Sequence, residues 1–564
     1  MKSAVFILIL VSFVSYSQKK YPPKYFQSPL DIPIVLAGTF GELRSNHFHA
    51  GIDIKTQGKE GLKVYAVAEG YVSRIKVQQY GYGKAIYVTH PNGYTSVFGH
   101  LSKFKKEIES FIQTIQYRKE NYETGNIYPK KDQFIIKKGE VIAFSGDTGG
   151  SGAPHLHFEI RDTRTEKIIN PLFFGLQVPD VLVPTIRTLQ IYPLSENARI
   201  YQQNNSTAIP FKKTGKGMYT AERISANGVI GFGISVYDKL NGAHNKNGIY
   251  SLEMLVNGKR HYYHDVETFS FSESKFLNLL IDYEYYKKYR RKIQKLFKED
   301  KNKLSIYESL INNGKVNIQE GMNYTVEIIA KDYQGNQSTL KIPVIGQPNN
   351  TILKKEKDTT NYKIIANNFQ RFTENNVTIA FPKNTFYADT FIDFKVDAGI
   401  AQVHMPVIPL DKSYTLTFDV SQYTSLEKEQ LYIANLEYPK YPRYVYTKKK
   451  ESTFYTTTKT LGTYTLRKDS LSPEIKMLYI SNNQWVSKAK TLKLKISDID
   501  SGINNWSATI DGKWVLMRYN HKKNILTYNF SDKKLFGSKH IFKIVVSDNV
   551  GNTSERSLTF FRKI

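Results

Sequence analysis

Alternating apolar and polar positions dominate the chain from residue 25 to about residue 175. Short β-branched runs are separated there by glycine turns, as in KVYAVAEGYVSRIKV (63–77) and EVIAFSGDTGGSGAPHLHFEI (140–160). In a third run, KAIYVTHPNGYTSVFGHL (84–101), the pair Asn92-Gly93 lies between two alternating segments, which is a strong hairpin signal. Period-two alternation joined by tight turns predicts a small antiparallel β-sheet.

One segment interrupts this alternation with helical spacing. In SKFKKEIESFIQTIQYRKENYETGN (102–126) apolar residues recur three or four positions apart, and charged residues occupy the other faces. The apolar positions are Phe104, Ile108, Phe111, Ile112 and Ile115. The pattern predicts an inserted amphipathic helix, and it fits equally a helix that borders a functional site and one that only packs on the sheet.

Beyond residue 179 the strand patterns are longer and richer in tyrosine, and they contain an internal repeat. Residues 236–259 are echoed at 496–513, and residues 326–344 are echoed at 542–560. Each copy has an Asp-x-x-x-Gly turn before one strand and an Asp-x-x-Gly-Asn-x-Ser turn before the final strand. Turn chemistry at fixed offsets between alternating runs is typical of a β-sandwich, so we expect immunoglobulin-like modules.

These patterns predict a mainly β protein made of several modules. The predicted segments are a signal peptide at 1–17, the sheet with its helical insertion at 18–178, immunoglobulin-like β-sandwiches at 179–346 and 469–564, and a further β-sandwich module at 347–468. The first sandwich carries a basic insertion with helical spacing at about 273–303, which fits either a basic-aromatic binding patch or a solvated helix with one packed stripe. Residues 347–361 have the composition of a polar linker. The stretch DIDSG (498–502) lacks the further acidic positions of an EF-hand loop, which favours a plain turn.

The first residues have the composition of an export signal. Lys2 precedes an apolar run from Ala4 to Val14, and Ser15-Tyr16-Ser17 forms a small-x-small cleavage site. The run is shorter than the roughly 20 residues that a membrane-spanning helix needs. Cysteine is absent, which excludes disulfides and thiolate metal sites. We therefore expect an exported protein of the bacterial periplasm or cell envelope, or of the extracellular space, with no transmembrane segment in the mature chain.

The charge balance narrows the class of partner. The chain carries a formal charge of +28, from 79 basic and 51 acidic residues. Such an excess favours anionic partners, and export argues against nucleic acid as one of them. Lysine interspersed with tyrosine and threonine is also ordinary on solvated strand faces. The charge therefore supports an acidic envelope polymer without requiring one.

Two short motifs carry metal-binding residues. In GGSGAPHLHFEIRD (149–162), His155 and His157 open a strand after a proline, so both imidazoles leave the same face about 7 Å apart. Upstream, His49 and Asp53 bracket Ala-Gly-Ile. Two histidines and a carboxylate suit Zn²⁺, and three protein ligands leave a fourth position open, as in catalytic zinc sites.

Three ordered motifs resemble the lysostaphin-type (LytM-like) zinc metalloendopeptidases, which are peptidoglycan hydrolases. They are His-x-Gly-x-Asp at 49–53, YGKAIYVTHPNGYTSVFGHLS at 82–102, and the glycine-rich segment ending in APHLHFEIR at 146–161. The resemblance covers about residues 28–175. It implies a small, mostly antiparallel sheet with the site in a groove across it.

The resemblance also implies roles for individual residues. It makes His49, Asp53 and His157 the ligands of one zinc ion per chain. It makes His100 and His155 unligated catalytic histidines, one taking a proton from water and the other stabilising the oxyanion. Which of the two is the base stays open, although His155 shares a strand with a ligand.

Neighbouring residues leave alternatives. Glu159 follows His157 on the same strand face and fits either an acceptor that orients a ligand histidine or a cross-strand salt bridge. Arg44 occupies a basic position often found near this motif and could face substrate. His47 could replace His49 as a ligand, but the Gly-x-Asp spacing favours His49. His90 fits a turn residue.

We therefore expect an exported zinc-dependent endopeptidase that hydrolyses peptide bonds in the cross-links or stem peptides of peptidoglycan. The C-terminal β modules would hold it on peptidoglycan, on envelope proteins or on anionic wall polymers. Some relatives lose their ligands and act as catalytically silent regulators of other hydrolases, but here the ligand set is complete. An endopeptidase acting on glycine-rich proteins and an adhesin or carbohydrate-binding protein are the remaining alternatives.

Overall fold

The computed structural model describes residues 21–348 and 359–563, which are mainly β, as the sequence predicts. The predicted signal peptide at 1–17 lies outside the described residues, and so does most of the predicted linker at 347–361. Within the described ranges, no helix has both the length and the apolar character needed to cross a membrane.

The N-terminal region is built on an antiparallel sheet. Its elements are β1 (Leu36–Gly38), β2 (Ile52–Lys55), β3 (Lys63–Tyr65), β4 (Gly70–Val77), β5 (Lys84–Thr89), β6 (Tyr94–Gly99), β7 (Lys103–Phe104), α1 (Lys106–Lys119), β8 (Gly125–Ile127), β9 (Ile135–Ile136), β10 (Val141–Phe144), β11 (His155–Asp162), β12 (Ile168–Ile169) and a 3-10 helix at Pro171–Phe174. The main sheet has the order β1-β2-β11-β6-β5-β4-β8, with β12 beside β11 and β9 beside β4, while β3-β10-β7 form a smaller sheet. Because β2 and β11 are neighbours, the motifs at 49–53 and 155–157 meet.

The predicted hairpin joins β5 to β6. Gly93 has a φ of +85°, a conformation that favours glycine, and the two strands pair from Ile86 opposite Phe98 to Thr89 opposite Thr95. Both faces of β5 are covered, because Ile86 packs in the main core whereas Tyr87 packs in a smaller cluster on the opposite face. This hairpin fixes the end of β6, where His100 follows.

The predicted amphipathic helix is present but shorter than its sequence segment. Helix α1 buries Ile108, Ile112 and Ile115 against the core, while Phe111 is half-buried. It ends before Glu120, whose φ of +48° places it in the left-handed region. The rest of the insertion adds short strands to both sheets.

The second region is a β-sandwich with its own core. Its elements are β13 (Thr185–Pro193), β14 (Arg199–Ile200), β15 (Thr207–Ile209), β16 (Phe211–Gly215), β17 (Met218–Ala221), β18 (Ile224–Tyr237), β19 (Ser251–Val256), β20 (Lys259–Asp265), β21 (Thr268–Phe269), α2 (Leu277–Leu280), α3 (Tyr283–Tyr289), β22 (Gln294–Lys295), β23 (Tyr307–Leu310), β24 (Val316–Ile318), β25 (Asn323–Lys331) and β26 (Gln337–Gly346), with 3-10 turns at Ser274–Phe276 and Asn312–Gly314. Strand β21 pairs with β12, so the main sheet of the N-terminal region is extended by a strand of the sandwich.

The basic insertion at 273–303 is helical only in its first half. Helix α3 ends at Tyr289, and the chain then forms β22 rather than continuing as a helix. Apolar residues of the insertion, among them Phe276, Leu277 and Leu280, belong to the same hydrophobic cluster as the main-sheet core of the N-terminal region. The packed stripe therefore covers the N-terminal region, and the two regions share a core.

Two further regions each have two main sheets around one core, and the first also contains a two-stranded sheet. The first contains β27 (Tyr362–Ile364), β28 (Gln370–Glu374), β29 (Val377–Phe381), β30 (Thr390–Ile392), β31 (Phe394–Asp397), β32 (Ile400–Val403), β33 (Tyr414–Asp419), α4 (Ser425–Gln430), β34 (Leu431–Asn435), β35 (Arg443–Val445), β36 (Lys448–Lys449), β37 (Thr453–Thr458) and β38 (Gly462–Lys468). The second contains β39 (Glu474–Leu478), β40 (Gln484–Trp485), β41 (Thr491–Ser497), β42 (Ile503–Ile510), β43 (Lys513–Trp514), β44 (Arg518–Asn520), β45 (Ile525–Asn529), β46 (Lys539–Asp548) and β47 (Thr553–Phe561). These sheets confirm the predicted β-sandwich class, whereas the immunoglobulin-like topology expected for 179–346 and 469–564 stays a prediction.

The last module folds back onto the N-terminal region. Lys522 Nζ lies 2.7 Å from Asp147 Oδ1, and the ring centroids of Trp514 and Tyr117 are 5.2 Å apart. Asp147 belongs to the glycine-rich loop before β11. The C-terminal module therefore contacts the loop that leads to His155.

Candidate metal centre

Three predicted metal ligands meet where β2 and β11 pair. His157 lies opposite Asp53 in this antiparallel register, and His49 approaches from the turn before β2. His49 Nε2 is 3.0 Å from Asp53 Oδ1 and 3.1 Å from His157 Nδ1, and His157 Nδ1 is 2.9 Å from Asp53 Oδ1. All three residues are buried. Three donor atoms therefore converge on one point.

Hydrogen bonds on the far side of each imidazole fix which ring nitrogen faces that point. His49 Nδ1 lies 2.8 Å from the carbonyl oxygen of Thr39. A carbonyl only accepts, so Nδ1 carries the proton and Nε2 keeps a free lone pair in the neutral ring. His157 Nε2 lies 2.8 Å from Glu159 Oε1, which leaves Nδ1 as the inward nitrogen in the same way.

His155 and His100 lie beside the ligand group. His155 Nε2 is 3.4 Å from Asp53 Oδ1, and its Nδ1 is 2.8 Å from the carbonyl of Ala153. His100 follows β6 with a φ of +59°, and its Nδ1 is 2.8 Å from the carbonyl of Thr148. The two rings are 4.7 Å apart. Each histidine donates Nδ1–H to a carbonyl, so each keeps Nε2 as an acceptor.

The charges around the site are strongly coupled. Burial raises the pKa of Asp53, but the imidazoles of His49, His155 and His157 outweigh it and hold that pKa well below its usual range. Burial lowers the pKa of His157, whereas its hydrogen bonds to Asp53 and Glu159 raise it to a net value of about 9. Burial, reinforced by His157 and His155, lowers the pKa of His100 to about 3. The ligand group thus attracts positive charge, whereas His100 stays neutral.

Glu159 contacts His157 and also pairs with Arg161, a residue of its own strand β11, so its salt bridge is not the cross-strand pair considered for it. Its Oε1 contacts His157, and its Oε2 accepts a 2.7 Å hydrogen bond from Arg161 Nε. Tyr82 donates its hydroxyl to Oε1 and lies with its ring 5.2 Å from that of His157. Although burial raises the pKa of Glu159, Arg161 and His157 lower it to about 2. The carboxylate is therefore a buried anion that holds the His157 ring.

Arg44, His47 and His90 differ in whether they contact the group formed by His49, Asp53 and His157. Arg44 Nη2 is 3.1 Å from Asp53 Oδ2, so it contacts a ligand residue and is itself partly exposed. His47 is exposed and is not part of the group of converging donors found among the described residues. His90 is buried between the Glu69 carbonyl and the Ser96 hydroxyl, at 2.7 and 2.8 Å, and is structural.

The donor set fits a borderline divalent metal. Two imidazole nitrogens and one carboxylate oxygen, each oriented by an outer hydrogen bond, form the three-ligand set of catalytic zinc sites. The residues His49, Asp53 and His157 could hold a metal ion, and Glu159 and the Thr39 carbonyl would keep their rings in place.

Sequence reasoning missed several residues of the site. Tyr82 stands at the start of a motif block, but a tyrosine in a strand-rich region gives no signal of its own. The carbonyls of Thr39 and Thr148 act through the backbone, so their side-chain identity could not reveal them. Lys522 lies 375 residues from Asp147, and no local pattern links the two.

Part of the chain is similar to known peptidases. Residues 47–117 match the model of peptidase family M23, and residues 361–469 match the Zu5-like domain. The DD-carboxypeptidase/endopeptidase Mpg of Neisseria meningitidis serogroup B is 31% identical over 139 residues, covering 25% of this chain and 25% of that protein. An uncharacterized metalloprotease of Haemophilus influenzae is 32% identical over 124 residues, covering 22% of this chain and 20% of that protein. The match thus spans about a quarter or less of the length of these relatives.

Solved structures are similar to about a quarter of the chain at low identity. The catalytic domain of lysostaphin from Staphylococcus simulans is 22% identical, covers 26% of this chain and 93% of that chain, and gives a TM-score of 0.20. The catalytic domain of the M23 protein EnpA from Enterococcus faecalis is 21% identical, covers 28% and 97%, and gives a TM-score of 0.19.

The family match confirms the resemblance to lysostaphin-type peptidases that the three motifs indicate. The matched residues 47–117 contain His49, Asp53 and His100, whereas His155 and His157 lie beyond that range.

Proposed function

We propose that this protein is an exported zinc-dependent endopeptidase that hydrolyses peptide bonds in peptidoglycan cross-links or stem peptides. The observation that carries the proposal is the convergence of His49 Nε2, Asp53 Oδ1 and His157 Nδ1 within about 3 Å of one another. The M23 match and the similarity to the Neisseria carboxypeptidase/endopeptidase support the reaction class.

Zinc is the metal proposed for this group. A hard cation such as calcium prefers oxygen donors, whereas two imidazoles and a carboxylate suit Zn²⁺. When bound, zinc lowers the pKa of its water and polarises the scissile carbonyl. His49, Asp53 and His157 would hold it, and Glu159 would fix the orientation of His157 by accepting its Nε2–H.

His155 is the proposed general base. Its Nδ1–H is donated to the Ala153 carbonyl, so the free Nε2 lone pair points towards the ligand group, 3.4 Å from Asp53 Oδ1. It would accept the proton of the attacking water and deliver it to the leaving amine. Of the two unligated histidines it is the more exposed, which favours it for proton transfer at the substrate.

His100 takes a different part in this proposal. Its Nδ1–H is donated to the Thr148 carbonyl, which leaves Nε2 as an acceptor in a buried ring. It would orient the attacking water through that nitrogen. Stabilisation of the oxyanion, expected from the family for one of the two histidines, would require a protonated Nε2 and therefore suits His100 less well.

The proposed partners are peptidoglycan and, through the C-terminal modules, envelope proteins or anionic wall polymers. The net charge of +28 supports an acidic polymer. A groove beside the turn that carries His49 supports the same partner class, because it is lined by Arg187, Lys246, Arg290, Arg291 and Lys292.

The deciding experiment incubates the purified protein with isolated peptidoglycan and reads released muropeptides by mass spectrometry. We expect products from the wild-type protein, their loss with a zinc chelator, and their loss in His157→Ala. His244→Ala, which removes an exposed histidine outside the site, is the matched control and should keep full activity. Zinc-loaded protein without products would favour the silent regulator or a glycine-rich protein substrate, and protein that binds no zinc would end the enzyme proposal.

A further inference from the structure

A second convergence of ligand atoms lies where the N-terminal region meets the first sandwich. Asp180 precedes β13, Asp238 follows β18, and Asp332 follows β25. Each offers a carboxylate oxygen within 4.8 Å of the others, and all three residues are buried. Three buried carboxylates at such distances repel one another strongly.

Two of these carboxylates are incompletely satisfied. Asp180 Oδ2 and Asp238 Oδ1 are buried and have no hydrogen-bond partner among the described residues, and these residues are only 8% and 2% exposed. No lysine, arginine or histidine of the described ranges forms an ion pair with any member of the triad. Burial, together with Asp332 and Asp180, raises the pKa of Asp238 to about 8. Buried carboxylate oxygens without donors are costly unless a proton or a cation neutralises them, and one divalent cation neutralises more than one of the three carboxylates.

The last sandwich contains a second aspartate triad, of which two members occupy corresponding positions of the sequence repeat and the third precedes the first strand of its module, as Asp180 does. Its members are Asp469, Asp498 and Asp548, which also lie within 4.8 Å of one another. The supporting hydrogen bonds recur as well. Asn336 donates its backbone N–H and its side-chain amide to the carboxylate of Asp332. Asn552 donates the same two groups to Asp548.

The two copies differ in how the middle aspartate is satisfied. In the last sandwich Asp498 Oδ1 accepts from the N–H groups of Asp500 and Gly502, at 3.2 and 2.6 Å. Strand β42 begins immediately after Gly502, which holds that N–H in place. In the first copy the corresponding Gly242 leads into a longer loop before β19 begins at Ser251, and Asp238 Oδ1 lacks a partner. None of the carboxylate oxygens in the last triad belongs to the buried, unpartnered atoms of the described residues.

We propose that Asp180, Asp238 and Asp332 bind one calcium ion that stabilises the junction between the N-terminal region and the first sandwich, and that the triad of the last sandwich does not. An all-oxygen carboxylate set is the ligand chemistry of a hard cation. Calcium is favoured over magnesium because it tolerates irregular geometry, and three aspartates from separate loops impose no octahedron.

The position explains what such an ion would do. Gln334 and Asn336 donate side-chain hydrogen bonds to the carbonyls of Val178 and Asp180, which ties the connecting segment to the end of β25. Asp238 and Asp332 also line a small cavity together with Leu36 and Phe40 of the N-terminal region, among others. A cation here would hold the connecting segment against both regions. None of the three aspartates belongs to the converging donors His49, Asp53 and His157.

The first test measures calcium binding to the full chain by equilibrium dialysis with calcium chloride alone. We expect one saturable calcium in the wild-type protein, its loss in Asp238→Asn, and its retention in Asp498→Asn, the matched substitution in the other repeat. His157→Ala should also retain it, which separates this site from the proposed zinc site. Absence of saturable binding, or its retention in Asp238→Asn, would overturn the proposal.

A second measurement keeps the proposal testable if Asp238→Asn changes folding. Calcium at about 100 times its dissociation constant should raise the Tm of the wild-type protein by roughly 5 to 10 °C. In calcium-free buffer Asp238→Asn should unfold at the same temperature as the wild type or higher, because the substitution removes repulsion. A lower Tm of this variant without calcium would show that the carboxylate has an ordinary structural role and would contradict the proposal.

Discussion

Substitution of Phe269 by alanine tests whether the metal centre depends on the first sandwich. Phe269 lies in β21, which pairs with β12 across the junction, and it is fully buried. Its ring lies 4.9 Å from that of Phe40 and 5.1 Å from that of Phe48, the residue directly before His49. The side chain therefore supports the turn that carries a proposed ligand, although it belongs to another module.

The expected cost follows from its burial. Truncating a fully buried phenylalanine to alanine costs about 3–5 kcal/mol. If the two regions unfold together through their shared core, this loss raises the population of the open state about 100-fold or more. We therefore expect faster hydrogen exchange, read by mass spectrometry, in β2 and β11 as well as in β21.

A matched substitution separates this coupling from a general loss of stability. Phe560 is also fully buried, but it packs in the core of the last sandwich. Phe560→Ala should increase exchange in that module and leave β2 and β11 protected. If Phe269→Ala increased exchange only in the sandwich, with β2 and β11 unchanged, the two regions would be independent folding units and the metal centre would not depend on the first sandwich.

Three further predictions concern single contacts. Glu159→Ala should lower the zinc affinity about 10- to 100-fold in chelator competition, because His157 loses the acceptor of its Nε2–H. Glu159→Gln should lower the affinity less, because the amide oxygen can still accept. Equal zinc affinities of the wild type and Glu159→Ala would contradict the proposed role. Lys522→Ala should lower the free energy of unfolding by no more than about 1 kcal/mol in chemical denaturation, because the ion pair of Lys522 with Asp147 is partly exposed. A larger decrease would contradict this expectation. Burial lowers the pKa of His264 to about 3, so the unfolded state binds the proton at a higher pH than the folded state does. The free energy of unfolding should therefore fall as the pH decreases from about 6.5 towards 3, by up to about 1.4 kcal/mol per pH unit. His264→Gln should flatten this slope in chemical denaturation at several pH values, and an unchanged slope would assign it to other groups.

The ligand group could be predicted because its members lie close to regular strands. Once β2 and β11 pair in the antiparallel register, Asp53 and His157 must face each other, and His49 is four residues from Asp53. Period-two alternation fixes which face each side chain occupies. The local pattern therefore predicts which strand face each side chain occupies, whereas the choice of His157 over His155 as a ligand comes from the resemblance to the lysostaphin-type family.

The support of the site could not be predicted in the same way. Pairing of β12 with β21 joins segments 100 residues apart. Each strand is only two residues long, which is too short to show an alternation of apolar and polar residues. The basic insertion at 273–303 shows a comparable limit. Its apolar stripe predicts that Phe276, Leu277 and Leu280 are buried, but spacing on one helix does not identify the surface that buries them.

The two aspartate triads show why equal motifs need not have equal chemistry. An Asp-x-x-x-Gly turn occurs in both repeats, and both glycines adopt positive φ, at +73° for Gly242 and +83° for Gly502. The turn is therefore predictable from sequence. Whether the aspartate is satisfied depends on the residues after the glycine, because only an immediate strand start presents its N–H to the carboxylate. The longer loop after Gly242 removes that donor from the buried carboxyl of Asp238. A difference in loop length thus separates a turn that satisfies its own aspartate from one that leaves an oxygen free for a cation.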